Sequence, residues 1–396
     1  MSDKRNPDPF YDLIMDNDLA RNQWPEKIDQ LKREGKHLSL MAQAMTREKF
    51  EALKNHKTRT AGWTITRAMN TGTLYPSSSV GCHAGDHESY RDFSPLFNSV
   101  IESYHKGYKL DTDKHVTDFD GTKIRTDLSE KARSKIISTR IRVARNLDFF
   151  PLNPGGTEQS RLEIIKLVEQ TSKALKGDLK GEFYRHTTMT AKQTQKLIDE
   201  HFLFKGKDKM QAASGHHQHW PVGRGIYLSE SKEFILWVNE GDHLRIISME
   251  QGGDVKRVFE RLGRGITAIE NELKTITGKD PVFMSDDVLG MITCCPSNLG
   301  TAMRASVHIR LPKLIAKIGL EGIDKIAHEN FCQARGSSGE HSEVVEKVDI
   351  SNWRRLGFKE YELIEDMIGC VNKLAIMEDD VAYSDRDKVQ PSKGLT

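Results

Sequence analysis

Apolar positions recur along this chain with two different periods, and the period changes near residue 130. Before that point the spacing is helical. "TREKFEALKNH" places Phe50 and Leu53 on one face behind Thr46, a residue type whose hydroxyl caps helices. Helices are therefore predicted up to about residue 105. They are broken by the Gly/Ser/Pro-rich "NTGTLYPSSSVG" and followed by "HKGYKLDTDKHVTDFDGTKIRTDLSEKA", a polar stretch without sustained period that reads as a linker. Beyond it "SKIISTRIRVARN", "EFILWVNEGDHLRIISME" and "SVHIRLP" are β-rich. Phe234, Leu236 and Val238 alternate, as do Leu244 and Ile246, and Val307, Ile309 and Leu311. Two long helices accompany them. One carries Val258, Phe259, Leu262, Ile266, Ile269 and Leu273, the other Leu363, Met367, Val371 and Leu374. These stripes are core, and strands with long helices packed on them predict an α+β second domain. No internal repeat is evident.

Composition narrows the function classes. The 396 residues carry 59 basic and 57 acidic side chains, a net charge of +2, so neither nucleic acid nor a membrane surface is the expected partner. No apolar run is long enough to span a bilayer, and the acidic N-terminus reads as neither a secretory signal nor a transit peptide. Cys82, Cys294, Cys295, Cys332 and Cys370 are odd in number and scattered, which fits a reducing, cytoplasmic setting.

Four polar clusters carry candidate chemistry: "STRIR" with Arg140 and Arg142, "NEGDHLR" with Glu240 and Arg245, "CCPSNLGTAMR" with Cys295 and Arg304, and "ARGSSGEHSE" with Arg335 and Glu340. Residues two apart on a strand share a face, so Arg140 and Arg142 point the same way. A solvated edge strand with ordinary ion pairs explains any one such cluster. Four together point to an anionic ligand such as a polyphosphate, whose oxygens match the planar guanidinium fork. The chain has neither a G-x-x-x-x-G-K-[ST] loop nor the H-R-D and D-F-G pairing of protein kinases, so arginines would have to hold a nucleotide.

The run "ITCCPSNLGTAMRASVHIRLP" resembles the signature of the phosphagen kinases, the ATP:guanidino phosphotransferases that include creatine and arginine kinases. "VGCHAGDHESY", "LIDEHFLF", "RGIY", "WVNEGDHLRIISME", "ARGSSGEHSE" and "DISNWRRLGF" match further family segments in order, over roughly residues 40 to 380. The resemblance implies a small all-helical N-terminal domain, 1–125, carrying a substrate-specificity loop. It also implies a larger catalytic domain, 126–396, with an antiparallel β-sheet flanked by helices. It assigns Arg140, Arg142, Arg245, Arg304 and Arg335 to the ADP phosphates and the transferring phosphoryl group, and His201 and His308 to the adenine and ribose. Cys295 matches the reactive cysteine, with Cys294 its buried neighbour. Ser79, Val80, His83 and Tyr104 match substrate-binding positions. ATP/ADP with Mg²⁺ is the implied cofactor, the metal held mainly by phosphates and water. Family members are monomers or homodimers.

A guanidinium needs carboxylates to fix its plane and accept its proton. Glu340 matches the glutamate of arginine kinases. The family reads Asn-Glu-Glu-Asp-His where this chain reads Asn239-Glu240-Gly241-Asp242-His243, so its second glutamate is replaced by Gly241. Either Glu240 serves instead, Asp242 reaches in, or the first carboxylate is dispensable. Gly241 can adopt φ values a glutamate resists, which is expected to swing Glu240 toward the substrate. The short loop "TLYPSSS", Tyr104 and Glu340 favour arginine as substrate. His83, where arginine kinases carry tyrosine, and the Cys-Pro-Ser run lean toward the creatine kinase branch with its lombricine and taurocyamine kinases. Readings of other classes are a bacterial-type protein-arginine kinase, a catalytically weakened nucleotide-binding protein, and a redox or metal protein. His216, His217 and His219 in "SGHHQHW" read as a solvated loop rather than a metal site, because ligand spacing with cysteines or carboxylates is missing.

Overall fold

The computed structural model describes residues 22–204, 206, 208–336 and 347–386, with side chains to 381. Glu340 lies outside the described residues. The first part is helical: α1 Glu26–Arg33, α2 Leu40–Ala44, α3 Arg47–Leu53, α4 Ile65–Leu74, α5 Glu88–Asp92 and α6 Ser94–Tyr104. Thr46 caps α3 by accepting from Lys49 N–H at 3.3 Å, and Phe50 is fully buried.

The larger part is built on strands β1 Ile136–Arg145, β2 Gly181–Arg185, β3 Gly225–Ser229, β4 Phe234–Val238, β5 Leu244–Gln251, β8 Met303–Arg310, β9 Cys332–Gly336 and β10 Lys347–Asn352. They form one eight-stranded sheet in the order β2-β3-β4-β5-β1-β8-β10-β9. β6 Ser285–Asp286 and β7 Gly290–Met291 form a separate ribbon. The helices of this part are α7 Glu130–Lys135, α8 Glu158–Ser172, α9 Ala191–Asp199, α10 Lys209–Ser214, α11 Val255–Thr277, α12 Pro312–Glu329 and α13 Glu360–Arg386.

Alternation reads cleanly where one face of a strand is covered and less so where both are. On β1, Thr139, Ile141 and Val143 are buried and Ser138, Arg140 and Arg142 are half-buried. On β4 only Trp237 escapes full burial, so this strand is apolar on both faces. All six stripe residues of α11 and all four of α13 are buried.

By contacts the chain divides into two compact units. One holds the described residues up to Val116 with Val143–Ile247 and Arg264–Ala302, the other Thr117–Arg142, Ser248–Gly263 and the described residues from Met303 on.

Candidate active site

In the first unit the site begins with a pinned turn. Cys295 precedes the 3₁₀ turn Pro296–Asn298 and is half-buried, its Sγ 3.1 Å from Ser297 Oγ. The turn is held by backbone groups. His105 Nε2 bonds the Pro296 carbonyl at 2.8 Å, and Tyr90 donates its hydroxyl to the Thr293 carbonyl at 2.7 Å. Asp242 Oδ1 accepts from Cys294 N–H and from Asn146 Nδ2, both at 2.8 Å. Cys294 is only 1% exposed, and burial, seconded by Asp242, pushes its thiol well above the ordinary range. Of the two vicinal thiols, Cys295 is the one with access to solvent.

Glu240 stands beside this turn's supports. Its Oε2 lies 3.2 Å from Arg245 Nη2, and its Oε1 accepts from Gln211 Nε2 at 3.2 Å. The expectation that Gly241 supplies an unusual φ is corrected. Gly241 is not left-handed, and a Cβ there would meet Arg245 Nη2 and Gln211 Nε2 at an ordinary 3.5 Å. The reversal is taken by Asn239, at φ 57°, whose Nδ2 donates to the Gly223 carbonyl at 2.8 Å. Asparagine tolerates this region because its short polar side chain bonds locally. Asp242, the other candidate carboxylate, is buried and committed to the Cys294 and Asn146 bonds.

The loop containing "TLYPSSS" is closed at its base by Gly72 N–H donating to the Gly81 carbonyl at 2.8 Å. Gly81 has φ +80°, and a Cβ on Gly72 would sit 2.8 Å from that carbonyl, so neither glycine is replaceable without displacement. Ser79 and Val80 accept from Leu40 N–H and Met41 N–H at 3.0 and 2.9 Å. Val80 is buried and Ser79 exposed. Tyr104, half-buried, packs edge-on against His105 with ring centroids 5.0 Å apart.

His83 bonds Thr71 Oγ1 through Nδ1 at 3.2 Å and meets the His216 ring edge-on, with centroids 5.4 Å apart. Desolvation lowers the His83 pKa to about 4, so it is neutral near pH 7. The solvated-loop reading of the histidine run is also corrected. His216 and His217 are buried, because Ser214 and Gln211 supply partners for their ring nitrogens inside the fold. His219 is half-buried, 3.5 Å from Glu158. Among the described residues no group of three His, Cys, Asp or Glu could hold a metal ion. His201 is exposed, with φ 60°, just after α9.

In the second unit the pleat does the positioning. Arg304, Ser306 and His308 share one face of β8, while Arg140 and Arg142 share one face of β1. β10 pairs antiparallel with both β8 and β9, and Asp349 lies opposite His308 on one side and Arg335 on the other. Asp349 Oδ2 accepts from Arg304 Nη2 at 3.0 Å and lies 3.7 Å from His308 Nε2. Ser351 Oγ accepts from Arg304 Nε at 3.2 Å, and Ser138 Oγ bonds His308 Nδ1 at 3.2 Å. Burial raises the Asp349 pKa, but His308 and Arg304 outweigh it and hold the carboxyl below its usual value. Burial lowers the Arg304 pKa, partly offset by Asp349. Arg335 is exposed, donating to Gln333 Oε1 at 3.3 Å.

Sequence reasoning missed Gln211, His105 and Asp349. Asp349 had a usable signal, since it and Ser351 alternate with Val348 and Ile350 in "VDIS". Gln211 and His105 had none, because Glu240 and the Pro296 carbonyl, which they bond, are remote in sequence.

Two family models match the chain. The ATP:guanido phosphotransferase N-terminal domain matches residues 35–102 and the ATP:guanido phosphotransferase C-terminal catalytic domain residues 163–381. An arginine kinase of Plodia interpunctella is 42% identical over 342 residues, 86% of this chain and 93% of that protein. An arginine kinase of Anthopleura japonica is 42% identical over 363 residues, 91% of this chain but 49% of that longer protein. Among solved structures, a lombricine kinase superposes with a TM-score of 0.81 at 34% identity, over 88% of this chain and 94% of that one. The duplicated taurocyamine kinase of Schistosoma mansoni gives 0.82 at 32% identity, over 95% of this chain and 50% of that one.

Proposed function

This chain belongs to the ATP:guanido phosphotransferase family, and on that premise we propose that it is an arginine kinase, moving the γ-phosphoryl group of ATP reversibly to the guanidino nitrogen of L-arginine. The observation that carries the choice of arginine is 42% identity to an arginine kinase across 93% of that relative's length. Residues 1–125 form the N-terminal domain with the specificity loop, and 126–396 the catalytic domain. The roles divide by charge. Cys295, with the Ser297 hydroxyl 3.1 Å from its sulfur, offers a polarisable partner to the planar cation. Glu240 and Glu340 grip its nitrogens and accept the proton released as the lone pair turns to phosphorus in line with the leaving oxygen. Arg140, Arg142, Arg245, Arg304 and Arg335 hold the phosphate oxygens and the charge that spreads over the transferring group. His201 and His308 serve the adenine and ribose. The arginine set suits phosphate oxygens rather than a metal, so Mg²⁺ arrives on the nucleotide, with phosphates and water as its ligands. No helix of the described residues is long and apolar enough to cross a membrane, and a cytoplasmic location fits the free cysteines.

His83 favours a second reading. A neutral imidazole in the place of a tyrosine suits a different distal group, and the solved neighbours named above are lombricine and taurocyamine kinases. Initial rates with ATP across arginine, taurocyamine, lombricine, glycocyamine and creatine decide. The highest kcat/KM is expected with arginine. A higher value with lombricine or taurocyamine transfers the assignment to that branch. ADP binding without turnover of any of the five means a weakened nucleotide-binding protein.

A further inference from the structure

Gln211 bridges two groups that lie apart in sequence. Its Oε1 accepts from His217 Nε2 at 2.9 Å, and its Nε2 donates to Glu240 Oε1 at 3.2 Å. The direction of this chain follows from chemistry. An ionised carboxylate only accepts, so the amide NH₂ must face Glu240 and its oxygen must face His217. His217 therefore carries its proton on Nε2.

The base of the bridge is rigid. Asp208 Oδ1 caps α10 by accepting from Met210 N–H at 2.8 Å and from Gln211 N–H at 3.0 Å. The Gln211 carbonyl accepts from His216 N–H at 3.0 Å. Asn70 Nδ2 donates to the Ala213 carbonyl at 2.7 Å, and Gly215, at φ +92°, closes the helix. Gln211 is half-buried, and His217 beyond it is buried. The side chain thus reaches Glu240 from an anchored backbone, with its far end held by a buried ring.

We propose that Gln211 is the positioning residue for Glu240, fixing the plane of its carboxylate through the His217–Gln211–Glu240 chain. This rests on reading Glu240 as a guanidinium-gripping carboxylate. Each carboxylate oxygen has two lone-pair sites. Gln211 takes one on Oε1, and Arg245, 3.2 Å away, faces Oε2. A second lone-pair site remains on Oε1 for a guanidinium N–H, while Oε2 is buried on the Arg245 side and accepts no hydrogen bond from the described residues. Without the amide, the carboxylate is free to rotate about its terminal bond toward Arg245, and the direction of the Oε1 site is lost.

The test uses the full-length enzyme with ATP and whichever guanidino compound gives the highest kcat/KM. Gln211→Met keeps the length of the side chain and removes the amide, while Gln211→Asn keeps the amide and withdraws it by one methylene. Each is expected to raise the guanidino KM about tenfold, the scale of a hydrogen bond to a charged group. The ATP KM should stay within about twofold, and the thermal midpoint near wild type. In a Glu240→Gln background either change should alter the guanidino KM by less than about twofold, since the pair acts as one unit. Long-range ¹⁵N–¹H spectra of the wild type should place the His217 proton on Nε2. Three outcomes overturn the inference: a multiplicative effect in the Glu240→Gln background, an ATP KM rising in step with the guanidino KM, or a His217 Nδ1–H tautomer. An impaired Glu240→Gln enzyme beside innocuous Gln211 variants overturns this inference alone, whereas a fully active Glu240→Gln overturns the reading of Glu240 as well.

Discussion

The thiol-carboxylate cluster and the arginine-aspartate ladder hold their functional groups by opposite means. Around Cys295 and Glu240 most partners are neutral or backbone groups, the carbonyls of Thr293 and Pro296, the Cys294 N–H and the amide of Gln211, with Asp242 and Arg245 as the charged exceptions. Around Arg304 and His308 a shared carboxylate is the centre, Asp349, opposite both His308 and Arg335 in sheet register, with the Ser351 and Ser138 hydroxyls beside it. A site for a cation has to leave its own anions underused, and neutral scaffolding does that. A site for a polyphosphate has to crowd like charges, and a pleat spaces them two residues apart with a carboxylate between. Arg245 joins the two styles, a cation held 3.2 Å from the Glu240 carboxylate.

The largest effect is expected on the ladder. Arg304→Ala removes a fork bound to Ser351 and Asp349 and leaves a half-buried carboxylate with one cation fewer. Loss of an arginine that meets transition-state charge is worth roughly 10³ or more in kcat. Arg304→Lys should recover little, because an ammonium cannot bond both partners in one plane. Steady-state kinetics with both substrates varied check this. A tenfold or smaller loss in Arg304→Ala, or near-full activity in Arg304→Lys, would break the contrast, because charge alone, without register, would then suffice.

A smaller effect is expected at the pinned turn. Cys295→Ser should lose roughly 10² in kcat, the scale of removing one group that stabilises charge in a preorganised site. Cys294→Ser should stay near wild type in kcat while losing about 1 kcal/mol of stability, as most single core changes do. Rates at low chloride and thermal midpoints of both variants separate the two. Equal kinetic losses would mean that the turn as a whole, rather than the half-exposed thiol, is what matters.

The two regions were legible in the sequence to different degrees. The placing of Arg140 and Arg142 on one strand face follows from period two alone, and the sheet bears it out; Arg304 and His308 are found to share a face of β8 by the same rule. That Asp349 faces them does not, because β10 reaches β8 by register, and register is absent from local periodicity. The choice of Cys295 over Cys294 came from the motif; what the structure adds is that Cys294 is the buried one of the two. The histidines were misjudged because a polar run reads as solvated. Here Ser214 and Gln211 satisfy His216 and His217 inside the fold, which makes their burial affordable. The strand order β5-β1-β8 joins segments about a hundred residues or more apart in sequence, and no window of residues carries that information.

The smallest effect sharpens the account of the vacant carboxylate position. Gly241 was expected to be needed for its backbone freedom, yet the left-handed residue of the turn is Asn239. A Cβ on Gly241 would touch only Arg245 Nη2 and Gln211 Nε2 at 3.5 Å. Gly241→Ala should therefore leave both KM values unchanged. It should stabilise the protein by about 0.4–1 kcal/mol, because alanine restricts the unfolded chain where the native conformation tolerates it. Asn239→Ala should do the reverse, since it forces a Cβ-bearing residue without a local hydrogen bond to hold φ 57° and strips the Gly223 carbonyl of its donor. Thermal midpoints of the two variants, measured with the guanidino KM, test this directly. A destabilised Gly241→Ala would return the turn's demand to the glycine. A raised guanidino KM in Gly241→Ala with unchanged stability would instead mean that the methyl disturbs the Gln211–Glu240–Arg245 contacts, placing the vacancy at the substrate rather than in the backbone.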